Sequence, residues 1–401
     1  KSILNNMKIS IIQPTRNNLK YLKWAYEAIR KNQGNHTVEI CVADDASTDG
    51  TWEWCQETLA KDNHFKCIRN EGPTRVGHTI LYDRLVNEVA SHDVCMIYHA
   101  DMYLCPGALS EIEKTIRPKK IVSLTRIEPP LHPPGPEKLL QDFGLEPELF
   151  KEQELLDYVD GLVGKSGYLE YTEGIFAPWA FMKADFQEIG GHDPLYAPQS
   201  KEDSDIFNRF QLNGVHFVQT WQGFVYHMTC RGSRFNPTLT TPGKNSSEWE
   251  AQNLRSTRNF IRKWGHFVKH DKFLKPVIPP LYDIGFVIKN CSMQALEILE
   301  PWCSTIYFEN YNAMAPEYIK KEQPNTLYGL IDRLRPYDNE KNNEILVSFD
   351  ASKFTQASFQ IIQQLPEIIK ESGEIGTFEL DIFTIEILQM NEYQNSLICN
   401  T

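Results

Sequence analysis

Several familiar signatures are missing from this 401-residue chain. Its nine cysteines form no CxxC pair and no cysteine–histidine spacing of the kind that binds zinc. It has no apolar run of 18 residues and no signal-like apolar segment. No block of lysine or arginine stands out against the formal net charge of −12. These absences predict a reduced, cytoplasmic protein with no membrane span and no nucleic-acid partner.

Two nucleotide-binding motifs are also missing. No GxGxxG follows the first predicted strand, which argues against a dinucleotide-binding half. No glycine-rich loop with a lysine lies near that strand, which argues against transfer of a nucleotidyl group from a nucleoside triphosphate. The length and the ordinary content of 41% hydrophobic and 23% charged residues predict a globular protein of two or three domains.

What is present is an alternation of strand and helix patterns. Short apolar runs predict strands over 8–13, 39–43, 64–69 and 94–98, and amphipathic periodicity predicts helices over 19–31, 51–59 and 77–90. This order predicts an α/β fold with a doubly wound, mainly parallel sheet. Further along, the patterns predict a helix over 202–212, strands over 215–220 and 224–227, and a helix over 249–264.

A second α/β series follows a proline-containing linker at 276–280. It has predicted strands over 284–288, 304–308, 345–349 and 378–388, and predicted helices over 293–299, 326–335 and 356–370. We therefore expect domains over 7–275 and 281–401, the second being a small accessory domain of unknown role.

Asp101 closely follows the short apolar run CMIY, with His99 and Ala100 between them. A carboxylate at the C-terminal mouth of a buried strand is where an α/β protein binds a ligand or a metal. Mg²⁺ and Mn²⁺ bridge such carboxylates to the hard oxygens of a diphosphate. The alternative is an aspartate that merely forms a turn.

Three blocks, PTRNN with VADDASTDGT, then YHADM, then GGHDPLYAPQSKEDSDIFNRF, resemble the family-2 glycosyltransferases of GT-A fold over residues 8–230. The resemblance implies metal-dependent, inverting transfer of a hexosyl group. The donor would be a nucleoside-diphosphate sugar, by default a UDP-sugar, and the acceptor a hydroxyl of a glycan or glycoconjugate. The cofactor would be Mn²⁺ or Mg²⁺. Two alternatives stay open: a sugar-nucleotide nucleotidyltransferase, and a non-catalytic relative that binds sugar nucleotides.

The resemblance also implies a set of donor-binding residues: Pro14, Thr15, Arg16, Asp44, Asp45, Arg75, His99, Asp101 and Arg231. Asp44 and Asp45 would accept hydrogen bonds from the base and the ribose, although loop aspartates also cap helices. His99 replaces the first aspartate of the family's DxD. It would contact ribose or bind Mn²⁺, unless it is a core histidine.

For the metal, the resemblance implies Asp101 together with His227 at the end of a predicted strand. For catalysis it implies Asp203 as the general base, beside Glu202, although acidic residues in a first helical turn also complement the helix dipole. Trp179 would form an apolar wall under the acceptor, or would be part of the core. The loop over 231–247 has the composition of a lid. The C-terminal domain would serve acceptor binding or oligomerisation.

Overall fold

The computed structural model describes residues 6–165, 171–231 and 245–400. The chain divides into two compact units. The first comprises Lys1–Gln252, His270–Pro276 and Cys399–Thr401, and the second comprises Asn253–Lys269 and Val277–Ile398. Among the helices described, none has both the length and the apolarity needed to cross a bilayer. The expected domain boundaries at 7–275 and 281–401 stay a prediction.

The first unit is built on a sheet of ten strands. They are β1 (Lys8–Thr15), β2 (Thr37–Asp45), β3 (Phe65–Asn70), β4 (Val94–Ile97), β5 (Met102–Leu104), β6 (Lys120–Glu128), β7 (Lys138–Leu140), β8 (Tyr171–Thr172), β9 (Trp179–Met182) and β10 (His216–His227). The path runs β3-β2-β1-β4-β9-β6-β10-β5, with β7 paired to β6 and β8 to β10. The predicted α/β fold with a mainly parallel sheet is confirmed.

Strands β1 and β2 are buried along almost their whole length because helices cover both faces of a parallel sheet. The helices of this unit are α1 (Leu19–Asn32), α2 (Thr51–Leu59), α3 (His78–Arg84), α4 (Ala108–Thr115), α5 (Glu152–Leu162), α6 (Lys183–Glu188) and α7 (Glu202–Leu212). Helix α8 (Ser247–Trp264) begins in this unit, and most of it belongs to the second. Helix α1 turns Leu22, Ala25 and Ile29 toward the core, as its period predicts.

The end of β10 lies between two other strands, and this pairing brings several candidate site residues together. On one side β10 is antiparallel to β5, with His227 opposite Met102, the residue after Asp101. On the other side β10 is parallel to β6, with Tyr226 opposite Ile127. The predicted strands 215–220 and 224–227 are one strand with a register shift between Thr220 and Phe224.

The second unit has its own six-stranded sheet in the order β13-β12-β11-β14-β16-β15. The strands are β11 (Ile284–Lys289), β12 (Thr305–Phe308), β13 (Leu334–Pro336), β14 (Ile345–Asp350), β15 (Gly376–Leu380) and β16 (Phe383–Ile387). The helices are α9 (Met293–Leu299), α10 (Tyr311–Glu322), α11 (Leu330–Arg333), α12 (Gln356–Gln363) and α13 (Leu365–Ser372). The predicted small α/β unit is confirmed.

Three predicted elements of this unit are wrong in detail. The helix predicted over 326–335 is only the short α11, and the longer α10 carries Pro316, which hid its pattern. The helix predicted over 356–370 is two helices, because Pro366 stands at the start of the second. The strand predicted over 378–388 belongs to the antiparallel β15–β16 hairpin, which turns at Asp381 with φ 51°.

A buried charge cluster stabilises the second unit around Glu300, whose side chain is fully buried. Its carboxylate contacts Nη2 of Arg262 at 2.7 Å and Nε of Arg333 at 2.6 Å, and accepts a hydrogen bond from the Tyr318 hydroxyl at 2.9 Å. Burial raises the pKa of Glu300, but the charges of Arg333 and Arg262 outweigh it and lower the pKa from 4.5 to about 2. Glu300 therefore stabilises the fold fully above pH 4.5, and that contribution is lost as the pH falls toward 2.

Replacing Glu300 by glutamine should lower the free energy of unfolding by about 3–5 kcal/mol, because the buried guanidinium groups of Arg262 and Arg333 lose the charge of the Glu300 carboxylate. Urea denaturation at pH 7 measures the loss. The matched control is Glu297→Gln, since Glu297 pairs with Lys321 at the surface and should contribute no more than about 1 kcal/mol. Equal losses in the two variants would contradict the prediction.

Candidate active site

Three side chains that could bind a metal meet where β4 ends, β5 begins and β10 ends. One ligand atom each from His99, Asp101 and His227 lies within 4.8 Å of the others. Nε2 of His227 is 3.2 Å from Oδ1 of Asp101. The Nδ1 of His227 is 2.7 Å from Oε1 of Glu128, so Nε2 is the nitrogen that faces the cluster. Two imidazoles with a carboxylate suit Mn²⁺ better than Mg²⁺, which prefers oxygen ligands.

The charges of this cluster depend on one another. Burial lowers the pKa of His227, but Asp101 and Glu128 outweigh it and raise the pKa to about 9. Burial and the neighbouring charge of His227 lower the pKa of His99 to about 4. Burial raises the pKa of Asp101, but His227 outweighs it and the pKa is lowered. A metal ion would therefore compete with one proton, which is held on His227.

A second group of polar atoms lies at the C-terminal ends of β1, β2 and β3. Buried Gln13 Oε1, Thr15 Oγ1 and Asp44 Oδ2 have no hydrogen-bond partner in the described part of the chain. Oδ2 of Asp44 is 3.3 Å from Nε of Arg69, in an ion pair without hydrogen-bond geometry. Buried polar atoms are normally paired, so this group is suited to a polar ligand.

Asp45 differs from Asp44 because protein groups already occupy both its oxygens. Oδ1 accepts hydrogen bonds from Asn70 at 2.8 Å and from the Val76 amide at 3.0 Å, and Oδ2 accepts one from the Gly77 amide at 2.8 Å. Gly77 has φ 84°, and a Cβ there would lie 2.2 Å from the Pro198 carbonyl oxygen. Asp45 therefore organises the segment that leads into α3.

The first turn of α7 presents two carboxylates of different character. Glu202 is buried, with Oε1 2.7 Å from Nε2 of His78 and Oε2 without a partner among the described residues. Asp203 is exposed, and its Oδ1 accepts a hydrogen bond from the Ser204 amide at 2.7 Å. Desolvation by the surrounding protein and the charge of Glu202 raise the pKa of Asp203. Burial raises the pKa of Glu202, but His78 outweighs it and lowers the pKa.

Asp205, the third acid of this helix, belongs to the core. It is fully buried and pairs through Oδ2 with Nε of Arg209 at 2.8 Å. The Arg209 guanidinium also donates to the carbonyl oxygens of Ile189 and Gly191. Asp205 is therefore a structural residue, and of the three acids Asp203 has the most accessible carboxylate.

Residues 10–158 match the model of the family described as Glycosyl transferase family 2. The matched segment lies wholly within the first unit and resembles the family 2 glycosyltransferases. The match includes the end of β1, the Asp44–Asp45 loop and Asp101, and it ends before α7 and β10. No curated protein matches the chain significantly.

Among solved structures, the chain is similar to GalNAc-T7 with UDP, GalNAc and Mn²⁺, at 15% identity and a TM-score of 0.45. That match covers 65% of this chain and 48% of the other, so the chain spans about half of GalNAc-T7. It is also similar to the mannosyltransferase PcManGT from Pyrobaculum calidifontis in complex with GDP-Man and Mn²⁺, at 15% identity and a TM-score of 0.41. That match covers 63% of this chain and 62% of the other.

The three arginines predicted to bind the donor have protein partners. Nη1 of Arg16 donates to the Asp45 carbonyl oxygen at 2.7 Å. Nη2 of Arg75 donates to Gln199 Oε1 at 3.1 Å, while its buried Nε has no partner among the described residues. Arg231 donates to the Leu145 carbonyl oxygen at 2.6 Å. Arg75 is therefore the one that retains an unused buried donor.

Two other residues predicted to bind the donor or acceptor, Pro14 and Trp179, have mainly apolar side chains. Pro14 lies within β1, opposite Ala43, and is half-buried. Trp179 is 2% exposed and packs edge-on against Phe207 and His192, so any effect on an acceptor would act through residues that cover it. The predicted lid lies, for residues 232–244, outside the described residues.

Sequence reasoning missed Glu128 and His78. Glu128 ends β6, a strand that was not predicted although its segment, KIVSLTRIE, is rich in strand-forming residues. His78 begins α3 after Gly77. The helix over 77–90 was predicted and β6 could have been, but neither contact can be inferred without the strand order.

Asp44→Asn should weaken uridine binding by roughly 10- to 150-fold, as expected for loss of a charged hydrogen bond of 1.5–3 kcal/mol. The physical reason is that Oδ2 of Asp44 is a buried acceptor without a hydrogen-bond partner among the described residues, so it can accept a hydrogen bond from a nucleoside. Isothermal titration with uridine measures the change. Uridine affinity equal to that of the unmodified protein would contradict this role.

Proposed function

We propose that the protein is a Mn²⁺-dependent, inverting glycosyltransferase that moves a sugar from a nucleoside diphosphate, by default UDP, to a hydroxyl of a glycan or glycoconjugate. The observation that carries the proposal is the His99–Asp101–His227 cluster. Because β1, β2 and β4 are parallel, this cluster lies at the same C-terminal edge of the sheet as Thr15 and Asp44, whose Oγ1 and Oδ2 have no hydrogen-bond partner among the described residues. A diphosphate needs a cation, and a nucleoside needs polar atoms beside it.

Three carboxylates of the proposed mechanism act on the pKa of one hydroxyl group. Burial raises the pKa of the Tyr82 hydroxyl, and the charges of Glu202, Asp203 and Asp101 raise it further. His78 interacts with both the acids of α7 and the metal cluster. It pairs with Glu202, and its charge also lowers the pKa of His99. These interactions support a common crevice for metal, donor and base.

His99, Asp101 and His227 would hold the cation. When bound, the cation neutralises charge on the departing diphosphate. Asp44 with Thr15 would accept hydrogen bonds from the nucleoside, and the free Nε of Arg75 would donate to a phosphate or sugar oxygen.

Asp203 would take the proton from the acceptor hydroxyl as that oxygen attacks the anomeric carbon. Its raised pKa strengthens it as a base, and its exposed carboxylate is open to an incoming acceptor. Glu202 would hold a sugar hydroxyl through its unpaired Oε2 while His78 fixes the other oxygen. Attack without a covalent intermediate gives inversion.

The test is a thermal-shift screen of UDP-, GDP- and dTDP-sugars with and without Mn²⁺, followed by assay of nucleoside diphosphate release. We expect one donor class to raise the melting temperature only with Mn²⁺, and to be hydrolysed slowly without acceptor. Pyrophosphate release from a nucleoside triphosphate with a sugar phosphate would favour a nucleotidyltransferase instead. Donor binding without hydrolysis or transfer to any glycan would favour a non-catalytic relative.

Acceptor binding or oligomerisation by the second unit stays a prediction, and so does a cytoplasmic location. Light scattering of the full chain measures the oligomeric state.

A further inference from the structure

We infer that Glu128 is a positioning residue of the metal centre, holding His227 so that only its Nε2 faces the cation. This inference rests on the proposed function. Glu128 touches neither Asp101 nor His99 in any recorded hydrogen bond or ion pair of the described residues, so its effect passes through His227.

The strand order creates the contact. Parallel pairing places Tyr226 of β10 opposite Ile127 of β6, so the next residues, His227 and Glu128, end their strands side by side. Oε1 of Glu128 is 2.7 Å from Nδ1 of His227, and Glu128 is only 2% exposed. With Nδ1 donating to this carboxylate, the ring can offer Nε2 as a ligand.

Two cationic side chains hold the Glu128 carboxylate, one at each oxygen. Nζ of Lys138 donates to Oε2 at 2.9 Å, and Nε of Arg126 lies 3.2 Å from Oε1. These two side chains lie next to each other because Arg126 of β6 pairs with Lys138 of β7 in the parallel register. A carboxylate held at both oxygens keeps its Oε1 in place for Nδ1 of His227.

Loss of a residue that positions His227 should weaken Mn²⁺ binding without weakening nucleoside binding. Partners of metal-ligating histidines typically contribute 10- to 100-fold to metal affinity. Glu128→Gln should therefore raise the Mn²⁺ dissociation constant by about 10- to 100-fold. Binding of uridine, which carries no diphosphate, should stay unchanged.

The chain offers a matched control in Glu137. Its carboxylate lies 3.2 Å from Nη2 of Arg126 and 3.8 Å from Nζ of Lys138, the same two cations, but has no recorded contact with His227. Glu137→Gln removes the same charge from the same cluster and should leave Mn²⁺ affinity within about twofold, well below the 10-fold expected for a histidine partner.

The experiment measures Mn²⁺ binding to the full-length, metal-free protein by electron paramagnetic resonance, with uridine titration and thermal melting on each variant. Glu128→Asp is the second variant, should the glutamine fail to fold; its shorter carboxylate keeps the charge but cannot reach Nδ1, and it should also weaken Mn²⁺ binding. Equal Mn²⁺ affinities in the Glu128 and Glu137 variants overturn the inference alone. Absence of Mn²⁺ binding in the unmodified protein overturns the metal dependence of the proposed function as well.

Discussion

Asp101→Asn is expected to abolish Mn²⁺ binding and to reduce sugar transfer on the order of 10³-fold or more. The cation contributes several kcal/mol to stabilising the leaving diphosphate, and each 1.4 kcal/mol is a factor of ten in rate. Asp101 is the only carboxylate of the three-residue cluster recorded among the described residues, and it is buried between two histidines. Nucleoside diphosphate release with and without added Mn²⁺ measures the effect.

Two measurements separate loss of the metal from loss of the fold in this variant. Uridine should still bind, because its proposed contacts are made by Asp44 and Thr15. Asp185→Asn is the matched control, since Asp185 is also buried but its carboxylate accepts a hydrogen bond from the Lys119 amide, away from the cluster. Turnover by Asp101→Asn at the rate of the unmodified protein would overturn the metal-dependent mechanism.

Asp203→Asn should reduce kcat by about 10²- to 10⁴-fold, the contribution usual for a general base. Donor affinity and Mn²⁺ affinity should not change, because the exposed carboxylate belongs to neither binding set. The comparison is Asp205→Asn, which breaks a buried ion pair with Arg209 and should lower stability while the folded fraction keeps its kcat. A larger kcat loss in Asp205→Asn would reassign the base.

The pH dependence adds an independent test of this base. A base works in its deprotonated form, so kcat should rise with pH through the pKa of Asp203, which lies above the ordinary 3.8. Glu202→Gln removes the neighbouring negative charge that helps to raise this pKa. The rise in kcat should therefore move to lower pH in Glu202→Gln and should disappear in Asp203→Asn.

Local sequence patterns located most of the elements. Helices α2, α7 and α9 have the bounds that their periodicity predicts. The pattern failed where proline stood inside or beside a helix, at Pro316 and Pro366, because a helix held by tertiary packing tolerates a residue that local propensity forbids.

For the site, the sequence indicated the strand-end acids but not their partners. Asp44 and Asp45 look alike in the DDASTDG loop, yet one has an unpaired buried oxygen and the other is fully engaged by Asn70, Val76 and Gly77. The difference depends on where the segment before α3 passes. The two aspartates therefore differ because of residues far away in the sequence, and not because of their immediate neighbours.

The sequence by itself determined the α/β class, the first unit's resemblance to family-2 glycosyltransferases, and the candidates Asp101 and His227, since each depends on residue types at short spacings. Only the tertiary structure decided that Glu128 contacts His227, that His78 holds Glu202, and that Asp205 is buried with Arg209. The physical reason is that these contacts depend on which strands pair and on how helices lie against them. Strand order is fixed by burial over the whole sheet, and no local pattern records it.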